Sequence, residues 1–355
     1  DRWIPTPGLT WDYLLGGDKN IIGKSDKDVV TFDIDYAKDM VPILHNKGQK
    51  AVCYFSGGSS QSEKDDFKDY QKAGVVRKEK TGWGNYVIDI KNKKKLQPLI
   101  RKRIQRAVSS GCDAIEVDSL DVPYRRAKDY YTKEDSVVFA KWLAETAHEE
   151  NISIGLKNLA TSSVKLEPYF DFAVVESCAE DNNLCDYYKA FTKNDKAVFI
   201  VHYEDRGWKL SSNSKLKQLI KEQGSRKFTC VLSKVQDLNT HSVNYNCDNG
   251  AVIGQSGKLK KTTTSTSTEE SGKDRCLRKL PKVEWRRSSD GWTTPIVNKS
   301  VIIKYCNQSN CQIAYDGSQG IKSRRGQWNS CKKEILKEFY DYYGVSFSVL
   351  NENYE

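Results

Sequence analysis

At 355 residues the chain is long enough for one large domain and a small one. With 29% charged residues, a mean hydropathy of −0.68 and no apolar run near the ~18 residues of a membrane span, it excludes a transmembrane helix. The net charge of +10 is uneven: Lys273 onward holds fifteen Lys/Arg against nine Asp/Glu, and residues 1–257 hold 39 against 36, so the basicity describes the tail and not a site in the main body.

Eight segments have strand composition: Val29–Asp35, Gln49–Ser56, Asn85–Ile90, Cys112–Asp118, Ile152–Asn158, Phe170–Cys178, Ala197–Glu204 and Lys227–Lys234. Their near-continuous Val/Ile/Phe/Ala runs are what parallel strands covered by helices on the outside require. Stretches with helical spacing lie between them, most clearly Leu96–Ser110 and Glu134–Glu150, the second with an apolar stripe of Val137, Val138, Ala140, Trp142, Leu143 and Ala147. Strand and helix alternating eight times predict a (β/α)8 TIM barrel over 1–257. A doubly wound open sheet is the competitor, disfavoured because no Gly-rich phosphate turn follows a strand. The Thr/Ser-rich run 258–272 cannot bury a core and reads as a linker. Residues 273–355 read as a small basic, disulfide-containing α+β domain of unknown role, with strands at Val301–Tyr305 and Gln312–Tyr315 and a helix at Cys331–Tyr343.

Ten cysteines point to an oxidising compartment, hence to a secreted, extracellular protein. Cys178 and Cys185 are close enough for a local bridge, Cys276, Cys306, Cys311 and Cys331 cluster in the tail, and Cys53 fits either a bridge or a buried thiol. Asn151, Asn298 and Asn307 begin Asn-x-Ser triplets, which in a secreted chain accept N-glycans.

Two carboxylates carry the chemical reading. Asp118 closes the apolar run Cys112-Asp-Ala-Ile-Glu-Val-Asp118, and Glu176 closes Phe170-Asp-Phe-Ala-Val-Val-Glu176. In a parallel barrel the C-terminal strand ends meet at the mouth where such barrels react, and an acidic pair there suits general acid/base work on a glycosidic bond. Other chemistries lack their residues. The four histidines are isolated, with no pair at zinc-ligand spacing, so no metal is expected. No Gly-x-Ser-x-Gly elbow occurs. Ser56-Gly57-Gly58-Ser59 lacks the Gly-Lys-Ser/Thr ending of a phosphate loop and reads as tight backbone beside the cleft, so no nucleotide or other cofactor is expected.

Taken in order, Trp3-Ile-Pro, Phe32-Asp33-Ile-Asp35, Cys53-Tyr54-Phe-Ser-Gly57-Gly58-Ser, Glu116-Val-Asp118-Ser-Leu-Asp121, Gly155-Leu-Lys157-Asn158, Val175-Glu176-Ser-Cys178, Cys185 and Val198-Phe-Ile-Val-His-Tyr203 resemble glycoside hydrolase family 114, the endo-α-1,4-polygalactosaminidases, over about residues 1–240. The resemblance implies a (β/α)8 enzyme that cleaves α-1,4-linked galactosamine polymers with the acids of strands four and six, here Asp118 and Glu176. Asp118 is then the expected nucleophile and Glu176 the acid/base, the reverse assignment staying open. Retention of configuration is expected by analogy with other barrels that place the pair on these strands. The chain departs from the family where Glu116-Val-Asp118-Ser119 stands for Asp-x-Asp-Asn, and where His202 precedes the Tyr of strand seven with Glu204 displaced past it.

Around the pair, Asp33, Asp35, Asp121 and Glu180 are expected as mouth acids that attract a cationic amino-sugar polymer. Lys157 and Asn158 are expected to hold a carboxylate or sugar hydroxyls, and Tyr54 and Tyr203 to stack on or bind sugar. Each also has a structural reading, as cap, ion pair or packing. The tail interleaves Arg286, Arg287, Arg324 and Arg325 with Trp285, Trp292 and Trp328, a pattern that suits an anionic glycan or surface as well as a plain solvated face. The expected whole is a secreted monomeric endo-glycosidase. The competing function is a catalytically silent glycan-binding protein on a barrel scaffold.

Overall fold

The computed structural model describes residues 2–254 in full and, beyond them, the backbone of three short strands. The chain divides into two units, Asp1–Leu259 and Lys260–Glu355. Strands of the first unit are β1 (Trp11–Leu14), β2 (Val29–Asp33), β3 (Lys50–Ser56), β4 (Ser59–Ser60), β5 (Val76–Lys80), β6 (Tyr86–Ile88), β7 (Ala114–Asp118), β8 (Ser153–Lys157), β9 (Phe172–Glu176), β10 (Val198–Tyr203), β11 (Thr229–Ser233) and β12 (Val243–Tyr245). Its helices are α1 (Lys19–Gly23), α2 (Ala37–Asn46), α3 (Phe67–Lys72), α4 (Lys93–Ser109), α5 (Val122–Arg126), α6 (Lys133–Glu149), α7 (Ser163–Leu166), α8 (Lys189–Lys193) and α9 (Asn213–Gln223).

One nine-stranded sheet, in the order β1-β2-β3-β7-β8-β9-β10-β11-β12, forms a nearly closed barrel-like structure. Its first eight strands pair in parallel, as a (β/α)8 arrangement requires, and β12 returns antiparallel to β11. The gap between β1 and β12 is bridged by side chains. The Asn244 amide accepts from Trp11 N–H and donates to Trp11 C=O, both at 2.8 Å, and Ser242 Oγ accepts from Tyr13 N–H at 3.0 Å. One amide thus satisfies two buried main-chain groups that an adjacent strand would otherwise pair. Asn244→Ala orphans both, and at about 1–3 kcal/mol for each unsatisfied group it is expected to lower unfolding free energy by about 2–6 kcal/mol, read by denaturant melts.

Seven of the eight expected barrel strands are present. The exception is Asn85–Ile90, whose core, β6, lies in a separate antiparallel sheet ordered β4-β6-β5, inserted between the third and fourth barrel strands. The first strand, β1, is not among the expected ones: Trp-Asp-Tyr-Leu is only four residues long and carries a buried Asp12, held by His241 Nδ1 at 2.7 Å and Ser242 N–H at 2.9 Å. Addition and removal cancel, so β7 and β9 remain strands four and six.

Period-two alternation divides each strand between two environments. Trp11, Val29, Val52, Ala114, Phe172, Val174, Phe199 and Val201 pack together as the inner core. Intervening residues face the helices: Val117 lies where a side chain on Gly57 would strike it, beside Phe139 of α6. Helix α6 begins with a capping box, Thr132 and Asp135 each bonding the other's main chain, and buries Val137, Phe139, Ala140, Trp142, Leu143 and Ala147. Val138, expected in that stripe, is instead 52% exposed; Phe139 takes the inward position.

Three disulfides tie the unit together. Cys53–Cys112 joins β3 to the approach to β7, Cys178–Cys185 closes the loop after β9, and Cys230–Cys247 ties β11 to the residues after β12. Asn151 is exposed. In the second unit β13 (Val283–Arg287), β14 (Thr293–Val297) and β15 (Val301–Ile302) form an antiparallel sheet, β15 falling within the expected Val301–Tyr305. The expected linker 258–272, strand Gln312–Tyr315, helix Cys331–Tyr343, the four tail cysteines, Asn298 and Asn307 lie outside the described residues. Among the described residues no helix is long and apolar enough to cross a membrane.

Candidate functional site

Three consecutive barrel strands end in an ionisable residue: β7 in Asp118, β8 in Lys157 and β9 in Glu176. After each, the chain turns off through a left-handed residue, Ser119 at φ 65°, Asn158 at 53° and Ser177 at 56°. Such backbone costs of order 1 kcal/mol for a residue with a side chain and persists where its surroundings over-determine it, often at functional sites. Here the N–H groups are all spoken for: Ser119 donates to Asp118 Oδ1 at 2.7 Å, Asn158 to Val174 C=O at 2.9 Å and Ser177 to Val201 C=O at 2.8 Å. The Gly57-Gly58 backbone passes against this rim as expected, and a methyl on Gly58 would sit 1.9 Å from Ser119 O.

Lys157 is the hub. Its ammonium lies 3.5 Å from Asp118 Oδ1, 3.5 Å from Glu176 Oε1 and 3.5 Å from Glu116 Oε2, and it donates to Tyr13 Oη at 2.7 Å. The two mouth carboxylate oxygens, each within reach of one nitrogen, are therefore no farther apart than ~7 Å, a span a sugar ring or a water fills. Asp118 also accepts from Tyr54 Oη at 3.1 Å. Glu176 accepts from Tyr203 Oη at 2.5 Å and from Asn158 Nδ2 at 3.3 Å, while Asn158 Oδ1 accepts from Glu176 N–H at 3.0 Å. Asn158 thus clamps both the backbone and the carboxyl group of Glu176. Asp118 and Glu176 side chains are 26% and 34% exposed, against 2% for Lys157 and none for Glu116.

Beneath the pair, Glu116 accepts from Tyr13 Oη at 2.8 Å. Its position follows from alternation, two residues before Asp118 on the same inner face. Burial works against the Lys157 ammonium, but Asp118, Glu116 and Glu176 outweigh it and hold its pKa well above the usual lysine range. Burial and neighbouring carboxylates push the phenols of Tyr13, Tyr54 and Tyr203 up, so all three stay protonated donors. Glu116 is pushed up to about 7, by desolvation chiefly and against the pull of Lys157.

A carboxyl group whose folded pKa exceeds its unfolded value binds its proton more tightly when folded, so its stabilising contribution is present at low pH and lost as pH rises through about 7. Glu116→Gln removes that dependence. Relative to the parent, its unfolding free energy is expected to climb between about pH 4.5 and 7, by an amount of order 3 kcal/mol over the window, and to level off above, with the melting temperature following. Parallel thermal melts across pH check this, and a difference independent of pH would contradict it.

A cleft of about 490 Å³ covers the pair, within the size range of small-molecule and sugar sites. Asp33, Tyr54, Asp121, Lys157 and Asn158 of the expected binding residues line it with Asp118 and Glu176. Asp33 faces Lys64 at 3.2 Å, and Asp121 pairs with Arg125 at 3.1 Å. Tyr203 sits behind Glu176 as its hydrogen-bond donor. Two expected mouth acids lie elsewhere. Asp35 belongs to a neighbouring cavity and is neutralised by Lys64 at 2.7 Å and Arg106 at 2.9 Å, and these cations hold its carboxyl below the usual range against burial. Glu180 is taken up by Arg206 at 2.8 Å and Trp208 Nε1 at 3.2 Å, outside the cleft lining. His202 also faces away from the cleft: fully buried, with a pKa lowered by desolvation to about 3, it accepts from Ala179 N–H at 3.0 Å and holds the loop after β9.

Three participants were missed. Glu116 was legible from its two-residue spacing to Asp118. Tyr13 depended on recognising β1. Trp83, on the β5–β6 hairpin, lines the cleft because that hairpin is an insertion and not a barrel strand.

The model of glycoside-hydrolase family GH114 matches residues 1–252. The chain belongs to glycoside hydrolase family 114. It is therefore a glycoside hydrolase, and the two acids that the resemblance named each lie 3.5 Å from the Lys157 ammonium. Among solved structures it is similar to Aspergillus fumigatus Ega3 in complex with galactosamine, at 27% identity and TM-score 0.58, over 68% of this chain and 97% of that one. It is also similar to the glycoside hydrolase domain of PelA from Pseudomonas aeruginosa, at 14% identity and TM-score 0.50, over 66% and 98%, a likeness of fold. A comparison with curated protein sequences finds no match.

Proposed function

We propose that this family 114 enzyme is a secreted endo-glycosidase that cleaves α-1,4-linked galactosamine polymers, with Asp118 as nucleophile and Glu176 as acid/base. The observation that carries the reading is the pair itself: two partly exposed carboxylates on strands four and six, within ~7 Å of each other across one buried ammonium. The galactosamine complex of the similar Ega3 supports the choice of sugar. Three disulfides in the first unit support an oxidising compartment.

In this mechanism Glu176 donates its proton to the departing glycosidic oxygen while Asp118 attacks the anomeric carbon, giving a glycosyl ester on Asp118. Glu176, now a carboxylate, takes a proton from water, whose oxygen displaces Asp118 and restores the original anomer. The surroundings suit these roles. Asp118 Oδ1 is held by a main-chain N–H, a donor that cannot turn away, which fixes the attacking carboxylate in place. Glu176 Oε2 is held by the Tyr203 hydroxyl, which donates to a carboxylate and rotates to accept from a carboxylic acid, so the partner survives both protonation states. Lys157 sits within ion-pair distance of all three crowded carboxylates and offsets their mutual repulsion. Incubation with α-1,4-galactosamine chains, acetylated and free, beside unrelated polymers tests the substrate: internal cleavage of galactosamine chains alone is expected, and cleavage of none of them, or of the unrelated polymers equally, overturns the reading.

A further inference from the structure

The cleft differs in charge between its two sides. At the proposed cleavage point Asp118, Glu176 and Glu116 share one cation among the described residues, Lys157. The side formed by the β5–β6 hairpin and α5 has the opposite sign. There Asp121 takes the charge of Arg125 at 3.1 Å. Arg126 is exposed, forms no ion pair among the described residues, and places Nη2 3.3 Å from where a side chain on Gly82 would begin. Next to Gly82 stands Trp83, 73% exposed and lining the same cleft.

The exposure of this indole is not looseness. Thr81 N–H donates to Asn85 C=O at 2.8 Å, Gly84 N–H to Thr81 C=O at 3.0 Å, and Thr81 Oγ1 accepts from Trp83 N–H and Asn85 N–H at 3.2 Å each. Gly84 at φ 79° supplies the left-handed turn. A tied-down tip that holds a large aromatic face in water, at the lip of a sugar cleft, has the form of a stacking platform for the C–H face of a hexose. A neighbouring guanidinium tolerates a neutral ring and repels an ammonium, weakly at this exposure.

We propose that Trp83 and Arg126 form a distal subsite that takes an uncharged hexose ring, N-acetylated or lacking an amine, from the same chain whose free-amine stretch lies at Asp118 and Glu176. The inference rests on the galactosamine reading above and refines it: the preferred substrate is a mixed chain, not a fully de-N-acetylated one.

The test compares the full chain with Trp83→Ala and Arg126→Glu on α-1,4-galactosamine oligomers of equal length, fully free or partly N-acetylated, and on trisaccharides. Trp83→Ala is expected to raise KM for long mixed chains about five- to ten-fold more than for trisaccharides, with kcat changing less than KM. Arg126→Glu is expected to shift the mixed-to-free preference in kcat/KM about three-fold or more toward free chains. Equal KM changes for long and short substrates, or an unchanged preference ratio, overturn the subsite. Affinity of Glu176→Gln for the same oligomers, with and without Trp83→Ala, is read separately from cleavage. Trp83-dependent binding by a chain that cleaves no galactosamine polymer supports the subsite and removes the proposed reaction; Trp83-independent binding removes the subsite.

Discussion

Asp118→Asn and Glu176→Gln are each expected to lower kcat/KM on galactosamine polymers by at least about 10³-fold while leaving the fold intact. Both side chains stand at the mouth, 26% and 34% exposed, and the replacements keep shape and most hydrogen bonds, so circular dichroism and melting temperature should change little. The comparison that gives the loss its meaning is with carboxylates already committed elsewhere. Glu180→Gln disturbs only the Arg206 and Trp208 contacts outside the cleft lining, and Asp35→Asn only the Lys64 and Arg106 pairs, so each is expected to stay within about ten-fold of the parent. Reducing-end release measures all four. Equal losses across the series would point to general electrostatics of the barrel and not to a specific pair.

Lys157→Met is expected to be nearly as damaging, for a different reason. The ammonium is the one cation within salt-bridge distance of Glu116, Asp118 and Glu176 among the described residues, and it is almost fully buried. Removing one partner of a buried charge group leaves the others uncompensated, which typically costs about 3–5 kcal/mol. Without it the carboxyl groups hold their protons to higher pH, because the charge that favours their ionised forms is gone. Three readouts are expected together: a drop in kcat/KM of at least about 10²-fold, a lower melting temperature, and an acid limb of the pH–rate profile displaced upward. The double variant Lys157→Met/Glu116→Gln should recover part of the stability and little of the activity, since it removes the deep carboxylate but not the repulsion between the mouth acids. A Lys157→Met enzyme with unchanged pH profile would show that the hub does not tune the pair.

Much of this site could be read from residue order alone because strand ends in a parallel barrel converge. Asp118, Lys157 and Glu176 each follow an apolar run, and the fold itself brings those three ends to one rim. What could not be read depended on partners distant in the chain. Asp35 and Glu180 are acids near strand ends like the others, yet Arg106 and Arg206 reach them from other elements and withdraw them from the cleft. The β6 segment has strand composition because it is a strand, but its hydrogen bonds go to β4 and β5, and composition does not state which sheet a strand joins. Closure of the sheet was hidden for the same reason: Asn244 and Ser242, ordinary polar residues in sequence, complete the edge of a strand more than 220 positions earlier. Cys53 shows the opposite case, an apolar-strand cysteine whose bridge to Cys112 becomes obvious once β3 and β7 are neighbours.

The division of labour between the two acids is tested most directly by azide rescue of Asp118→Gly and Glu176→Gly on an α-galactosaminide with a good leaving group. A small anion fills the vacancy left by a nucleophile and attacks the sugar from that face, whereas in an acid/base variant it intercepts the glycosyl ester. A β-galactosaminyl azide is expected from Asp118→Gly and an α-galactosaminyl azide from Glu176→Gly. The reverse pairing of anomers, or rescue of neither variant, would contradict this assignment.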